Sequence, residues 1–292
     1  MKPYRSIVIL LFIISVSLFA CSTERISEVK SADAHPAGYY RDDPFPDKTA
    51  YLTFDDGPSD WTDGILDVLK KEDIRATFFI CGDWAPKSNR INNDFKKYRT
   101  TLLRMIRDGN VLGNHTIDHK NLALLKPEDI RKQFTENQEL LNKEIGFEAP
   151  QMTIVRPPFG SPWHDSQSIS TMTKVGKIIK SIGVIAMWSR HFDSSDSMDW
   201  VRGEWFENGP PIYMGNKEFK EKMHRIYRRI IDWANGKGIV ILFHDTHPTT
   251  MDILPSTIDQ LKREGYHFAT MEDFVHWKYH RSSQEIVSEY AK

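Results

Sequence analysis

Two carboxylates stand side by side at the end of an apolar run in Tyr51-Leu52-Thr53-Phe54-Asp55-Asp56-Gly57-Pro58. Like charges in contact raise each other's pKa and cost stability, so the pair calls for a compensating partner. A divalent cation can neutralise one carboxylate and leave the other beside activated water as a general base. Gly57-Pro58 is a turn signal that lets two neighbours converge, since successive strand side chains otherwise point to opposite faces. Taken alone, the same four residues also read as an acidic surface turn. A second candidate set is His115 and His119, four apart in Gly113-Asn114-His115-Thr116-Ile117-Asp118-His119. On one helical turn two such imidazoles face the same way and can hold one metal, although an isolated H-x3-H is more often a surface or capping pair. One of the two aspartates is the natural third ligand. The set would then be two histidines and a carboxylate, with positions open for water and substrate.

The elements that must position these groups alternate in type. Short apolar runs at Ala50–Phe54, Ile74–Ile80, Val111–Asn114, Met152–Val155, Val184–Trp188, Ile239–Phe243 and Tyr266–Ala269 read as strands. Helical patterns lie between them at Asp63–Lys71, Phe95–Arg107, Pro127–Ile145, Ser168–Ser181, Lys217–Ala234 and Ile253–Glu264. The alternation predicts an α/β fold with about seven parallel strands joined by crossover helices, either an incomplete barrel or an open sheet. In such folds ligands sit at the carboxyl ends of the strands. Five apolar runs end in ionisable groups there: Asp55 and Asp56, His115 and His119, Arg156, the Asp193, Asp196 and Asp199 series, and His244. One such ending would be bland, but five argue for a shared site. The 201–216 stretch has no period and reads as a long loop carrying Trp205, Phe206 and Tyr213.

The ends of the chain differ from this pattern. Lys2 and Arg5 precede an apolar run from Ile7 to Phe19, which ends in Ala20-Cys21. That is the layout of an export signal, and a small residue before Cys resembles a bacterial lipoprotein signal over residues 1–20 with lipid on Cys21. Residues 21–48 are polar, with Pro36, Gly38, Pro44 and Pro46, and read as a tether; residues 278–292 read as a C-terminal tail. The second of the two cysteines, Cys81, follows an apolar run and reads as a buried thiol, so no disulfide framework is expected. A net charge of -1 over 292 residues, with no basic stretch interleaved with aromatics, argues against nucleic acid as a partner, and no protein partner is evident.

In chain order, Thr53–Ser59, His115–His119, Arg156-Pro157-Pro158-Phe159-Gly160, Asp196–Trp200 and Leu242-Phe243-His244 resemble the five motifs of the polysaccharide deacetylases. That family is also called the chitooligosaccharide deacetylase homology domain, or carbohydrate esterase family 4. The resemblance implies a single catalytic domain over 49–277, a distorted (β/α) barrel. It implies hydrolysis of acetyl groups from an envelope or extracellular polysaccharide, most readily N-acetyl groups on GlcNAc- or MurNAc-type sugars. It also implies a divalent metal, commonly zinc, held by Asp56, His115 and His119. Asp55 would be the general base, oriented by Arg156. His244 would be the general acid, paired with Asp199, and is preferred over nearby His247. The Phe159 backbone N–H would hold the oxyanion, and Pro158, Trp200 and Leu242 would contact substrate, the last two around the acetyl methyl. Phe159 stands where the family often has Tyr, Asp118 departs from the usual neutral residue, and 201–216 lengthens an interval. His164 and His191 lie near motif residues and are further candidates for substrate contact. With an exported, lipid-anchored chain, the domain would face the periplasm or exterior. Two other readings are a non-catalytic glycan-binding lipoprotein on the same fold, and a metal-dependent hydrolase of another amide.

Overall fold

The computed structural model describes residues 33–40, 43–83, 94–164, 167–189 and 234–291, together with 221, 228, 231 and 232. Among these, eight strands form one sheet in which every pairing is parallel. They are β1 (Gly38–Tyr39), β2 (Thr49–Asp55), β3 (Thr77–Ile80), β4 (Val111–Asn114), β5 (Ile154–Val155), β6 (Val184–Ala186), β7 (Ile239–His244) and β8 (His267–Ala269). The order is β1-β6-β5-β4-β3-β2-β7, and β8 pairs with the first half of β2. The sheet curls: beyond β6, Ser189 N–H donates to the Val240 carbonyl on β7 at 3.2 Å, and the Ser189 hydroxyl accepts from Val240 N–H at 2.9 Å. The result is an incompletely closed barrel, the form the family resemblance implies and one of the two that the alternation left open.

Period-2 side-chain alternation decides what each face of β2 does. Ala50, Leu52 and Phe54 join Phe78, Ile80, Ile241 and Phe243 in a buried cluster. That cluster also takes Ile65, Leu66 and Leu69 of α1 (Thr62–Lys71) and Ile253, Leu254 and Ile258 of α5 (Pro248–Arg263). The opposite face presents Tyr51, Thr53 and Asp55, so the last residue of β2 is aimed at the site. Between these helices come α2 (Arg99–Arg107), α3 (Pro127–Ile145) and α4 (Ile169–Ile179), and α6 (Met271–Tyr279) and α7 (Ser283–Tyr290) end the chain. Pro127 sits in the first turn of α3, where a missing N–H costs nothing.

Two segments read as peripheral pack into the fold. Within 21–48, β1 extends the sheet beside β6, with Ile185 N–H donating to the Ala37 carbonyl and Met187 N–H to the Tyr39 carbonyl. Tyr39 is buried against Phe45 and Phe274. Within 278–292, α7 starts from a reciprocal capping box between Ser282 and Glu285 and buries Ile286 and Val287. A two-residue strand and an eight-residue helix are too short to show a period, which is why both escape a pattern reading. Several boundaries tighten as well: the strand expected from Ile74 begins at Thr77, and the helix expected from Phe95 begins at Arg99.

Candidate active site

His115 follows β4 directly, and the route from it to His119 is not a helical turn. Thr116 (φ 74) and His119 (φ 57) both lie in the left-handed region. That corrects the expectation that helical spacing brings the two imidazoles together. Asn114 holds the loop: its side chain accepts from Thr116 N–H (3.0 Å) and from the Asn137 amide (2.9 Å), and donates to the Phe134 carbonyl (3.0 Å). The Thr116 hydroxyl accepts from His119 N–H (3.1 Å). The outcome is the one the chemistry needs, since ligand atoms of Asp56, His115 and His119 lie within 4.8 Å of one another.

The tautomer of His115 follows from its partner. Its Nδ1 lies 2.6 Å from the Arg156 carbonyl, which can only accept, so Nδ1 carries the hydrogen and a neutral ring turns the Nε2 lone pair inward. Nε2 then faces Asp56 Oδ1 at 3.3 Å, and His119 Nε2 approaches the same oxygen at 3.2 Å. A lone pair facing a carboxylate oxygen is two acceptors in opposition, relieved by a proton or by a cation between them. One carboxylate and two imidazoles are also the donor types of a divalent transition-metal site, so these residues fit such an ion.

The adjacent acids separate because Asp56 adopts φ 74. Asp55, the last residue of β2, instead accepts from Arg156 Nη1 at 2.8 Å, while its other oxygen is 3.7 Å from His115 Nε2. Arg156 is 0% exposed. Its Nε donates to the Ala186 carbonyl (2.7 Å), Nη1 also to the Thr53 hydroxyl (2.8 Å), and Nη2 to the Met187 carbonyl (3.2 Å). The guanidinium lies 4.1 Å over the Phe79 ring. A buried cation with this many acceptors is a fixed support for Asp55.

Protonation follows from these contacts. Burial opposes ionisation of Asp56, but the imidazoles of His119, His115 and His244 outweigh it and hold the carboxyl well below the usual carboxylate range. Burial lowers His119 to about 4, with Asp56 pulling the other way. His115 is likewise opposed by burial, yet Asp55 and Asp56 together raise it.

The remaining expected residues fall into three groups. His244 ends β7 in register with Asp55, and Leu242 is buried two residues before it. His247 is buried at the start of α5, its ring 6.0 Å from that of His244. After β5, Pro158 is buried, and Phe159 adopts φ 60 and is 57% exposed, with its ring edge-on to His119 at 4.7 Å. His164 lies against Trp188 at 5.0 Å. Asp199, Trp200, His191 and the 201–216 loop lie outside the described residues, as does Cys21. Asp118, the departure inside the histidine motif, pairs with Lys120.

Reading strand ends alone misses Asp245, the residue after His244. It is fully buried, and burial pushes its carboxyl up to about 7 despite a hydrogen bond from Thr62, with Asp56 and Asp55 adding to the rise. The only signal in the sequence is an acid one step beyond the last strand-end histidine.

Fold and cluster together place the chain among parallel α/β barrels that can hold a divalent cation at the carboxyl ends of their strands. Comparison with known proteins makes the class specific. The family profile described as polysaccharide deacetylase matches residues 42–177. A peptidoglycan-N-acetylglucosamine deacetylase of Bacillus cereus is 30% identical over 235 residues, 78% of this chain and 68% of that protein. The structure of the peptidoglycan deacetylase PdaC from Bacillus subtilis matches with a TM-score of 0.54 at 30% identity, over 83% of this chain and 97% of that one. The full PdaC polypeptide is longer, and this chain spans 41% of it. The chitin deacetylase of Colletotrichum lindemuthianum matches with a TM-score of 0.59 at 26% identity, over 82% and 92% of the two chains. The chain belongs to the polysaccharide deacetylase family, metal-dependent hydrolases acting on carbon–nitrogen bonds.

Proposed function

We propose that the chain removes N-acetyl groups from GlcNAc- or MurNAc-type sugars of an envelope polysaccharide, using Zn2+ held by Asp56, His115 and His119. The observation that carries this reading is the division of labour between adjacent acids: Asp56 faces two imidazoles while Asp55 is held by Arg156. The relatives' printed activities supply the substrate class. When bound, the ion polarises the acetyl carbonyl and acidifies water. Asp55, held by the Arg156 guanidinium, accepts the proton of the water that adds to the acetyl carbon. The Phe159 N–H donates to the oxygen that becomes negative. His244 then protonates the sugar nitrogen as the C–N bond breaks, giving acetate and a free amine. Leu242 and Trp200 provide apolar surface for the acetyl methyl, and Pro158 contacts substrate. In this assignment Asp199 pairs with His244.

Acetate release tests the reading. The chain from Ser22 onward, loaded with zinc, is expected to release acetate from one of a panel of acetylated glycans. Asp55→Asn is expected to lose ~10²–10⁴-fold of that rate. Zinc-loaded protein inactive on peptidoglycan, chitin oligomers, poly-N-acetylglucosamine and acetylated xylan would reject it.

The proposal extends to location. Lys2, Arg5, the Ile7–Phe19 run and Ala20-Cys21 support export with lipid on Cys21, holding the domain at a bacterial membrane and facing the periplasm or exterior. Among the described residues no helix is long and apolar enough to cross a membrane. A Cys21→Ser chain recovered in the soluble fraction is the expected result; one that stays with membranes argues against the lipid.

A further inference from the structure

Asp245 makes contacts that neither the metal set nor the acid–base pair explains. Its backbone N–H donates to the Asp55 carbonyl at 3.3 Å, continuing the β2–β7 pairing past both catalytic strand ends. Its own carbonyl accepts from the Ser59 hydroxyl at 2.5 Å. Its carboxylate Oδ2 accepts from the Thr62 hydroxyl at 2.6 Å, and that hydroxyl accepts from Ser59 N–H at 2.8 Å. The carboxyl also lies over Gly57, where a Cβ would meet its oxygens at 2.0 and 2.2 Å. Gly57 is not among the left-handed positions, so this carboxyl, not backbone conformation, is what excludes a side chain there. The other flank of the turn is pinned to β3: Asp56 N–H donates to the Phe79 carbonyl (3.2 Å), and Cys81 N–H donates to the Gly57 carbonyl (2.9 Å).

We propose that Asp245 is a positioning residue that clamps the Asp55-Asp56-Gly57 turn between β3 and β7, so that Asp56 reaches the two imidazoles while Asp55 reaches Arg156. A buried carboxyl costs stability relative to an apolar group of similar size, and its Oδ1 has no partner among the described residues. What it adds is a flat shape over Gly57 and an acceptor for Thr62. A carboxamide supplies both features and a methyl group supplies neither. The inference rests on the reading of Asp56 as a metal ligand.

The test uses the full-length chain and two readouts, Zn2+ affinity by competition with a chromogenic chelator and thermal unfolding of the metal-free protein. Asp245→Ala is expected to weaken zinc binding about 10–100-fold, as loss of a group supporting a metal ligand does, and Asp245→Asn to stay within about threefold of the parent. Gly57→Ala is expected to weaken it too. The Gly57→Ala/Asp245→Ala double variant should bind tighter and melt higher than Gly57→Ala alone, because the added methyl occupies the vacated space. Parental zinc affinity in Asp245→Ala, or strictly additive melting shifts in the cycle, would overturn the proposal. A parent chain that binds no zinc would reject the metal reading instead, and the melting cycle would still decide whether the clamp exists.

Discussion

At the scale of single residues, the site turns on how a buried guanidinium distinguishes two neighbouring acids. Arg156 gives Asp55 a fixed cation, and five partners (Asp55, Thr53, the Ala186 and Met187 carbonyls, and the Phe79 ring) fix Arg156 in turn. In the proposed reaction this leaves Asp55 to act as the base, with its carboxylate held by Arg156 and not by the imidazoles that face Asp56. Arg156→Met is therefore expected to do two things. It leaves the Asp55 carboxylate and the Thr53 hydroxyl buried without their cation, a loss of about 3–5 kcal/mol for a broken buried pair. It also frees Asp55 to turn toward His115, already 3.7 Å from it. Denaturant unfolding measures the first effect, and the pH profile of acetate release at a temperature where the variant is folded measures the second. An unchanged unfolding midpoint would mean that the pair does not hold the barrel interior together.

At the scale of elements, the described site side chains Asp55, His115, Arg156 and His244 sit where strands stop, and the loops after β2, β4 and β5 carry left-handed backbone at Asp56, Thr116, His119 and Phe159. The β4 loop shows the point best. Asn114 is 1% exposed and joins β4, the His115–His119 loop and α3 through three hydrogen bonds. Asn114→Ala leaves Thr116 N–H unpaired in the interior, at about 1–3 kcal/mol for a buried group, and removes one of the two acceptors of the Asn137 amide, which keeps only the Ile80 carbonyl at 2.9 Å. The variant is expected to melt lower and to bind zinc more weakly, because Thr116 and His119 then lose the support of their left-handed conformations. Parental zinc affinity would show that the loop keeps its shape without Asn114. This dependence explains what was legible in the sequence. The types and order of Asp55, Asp56, His115, His119, Arg156 and His244 were readable because strand ends are marked by apolar runs. The way the two histidines converge was not, since left-handed backbone at Thr116 and His119 leaves no periodic trace and helical spacing suggested the wrong local shape. Asp245 was also hidden: its importance lies in a contact with Gly57 across 188 positions of chain, which no local pattern records.

At the scale of the whole molecule, the segment ahead of β2 belongs to the barrel and not only to a linker. Ala34 accepts from the Trp163 indole N–H at 2.7 Å, Asp33 pairs with Lys180 at 2.8 Å, and Gly38 is bracketed by Lys278 and the Tyr279 hydroxyl. Tyr39 shares a hydrogen bond with Ser189 at 3.0 Å, the residue that also ties β6 to β7. Met187, which donates to the Tyr39 carbonyl, offers its own carbonyl to Arg156. Removing β1 would thus expose the β6 edge, unseat a buried tyrosine and loosen one acceptor of the guanidinium that holds Asp55. Chains beginning at Asp33 and at Asp43 separate these roles from any tether. The 33–292 form should match the 22–292 form in melting temperature and zinc affinity. The 43–292 form should melt well below both, since a fully buried aromatic alone contributes about 1.5–3 kcal/mol. It should also lose acetate release more steeply than zinc binding, because the damage reaches Asp55 through Met187 and Arg156 while Asp56, His115 and His119 keep their own supports. A 43–292 form that keeps the parental melting temperature and rate would return residues 33–40 to the role of a linker.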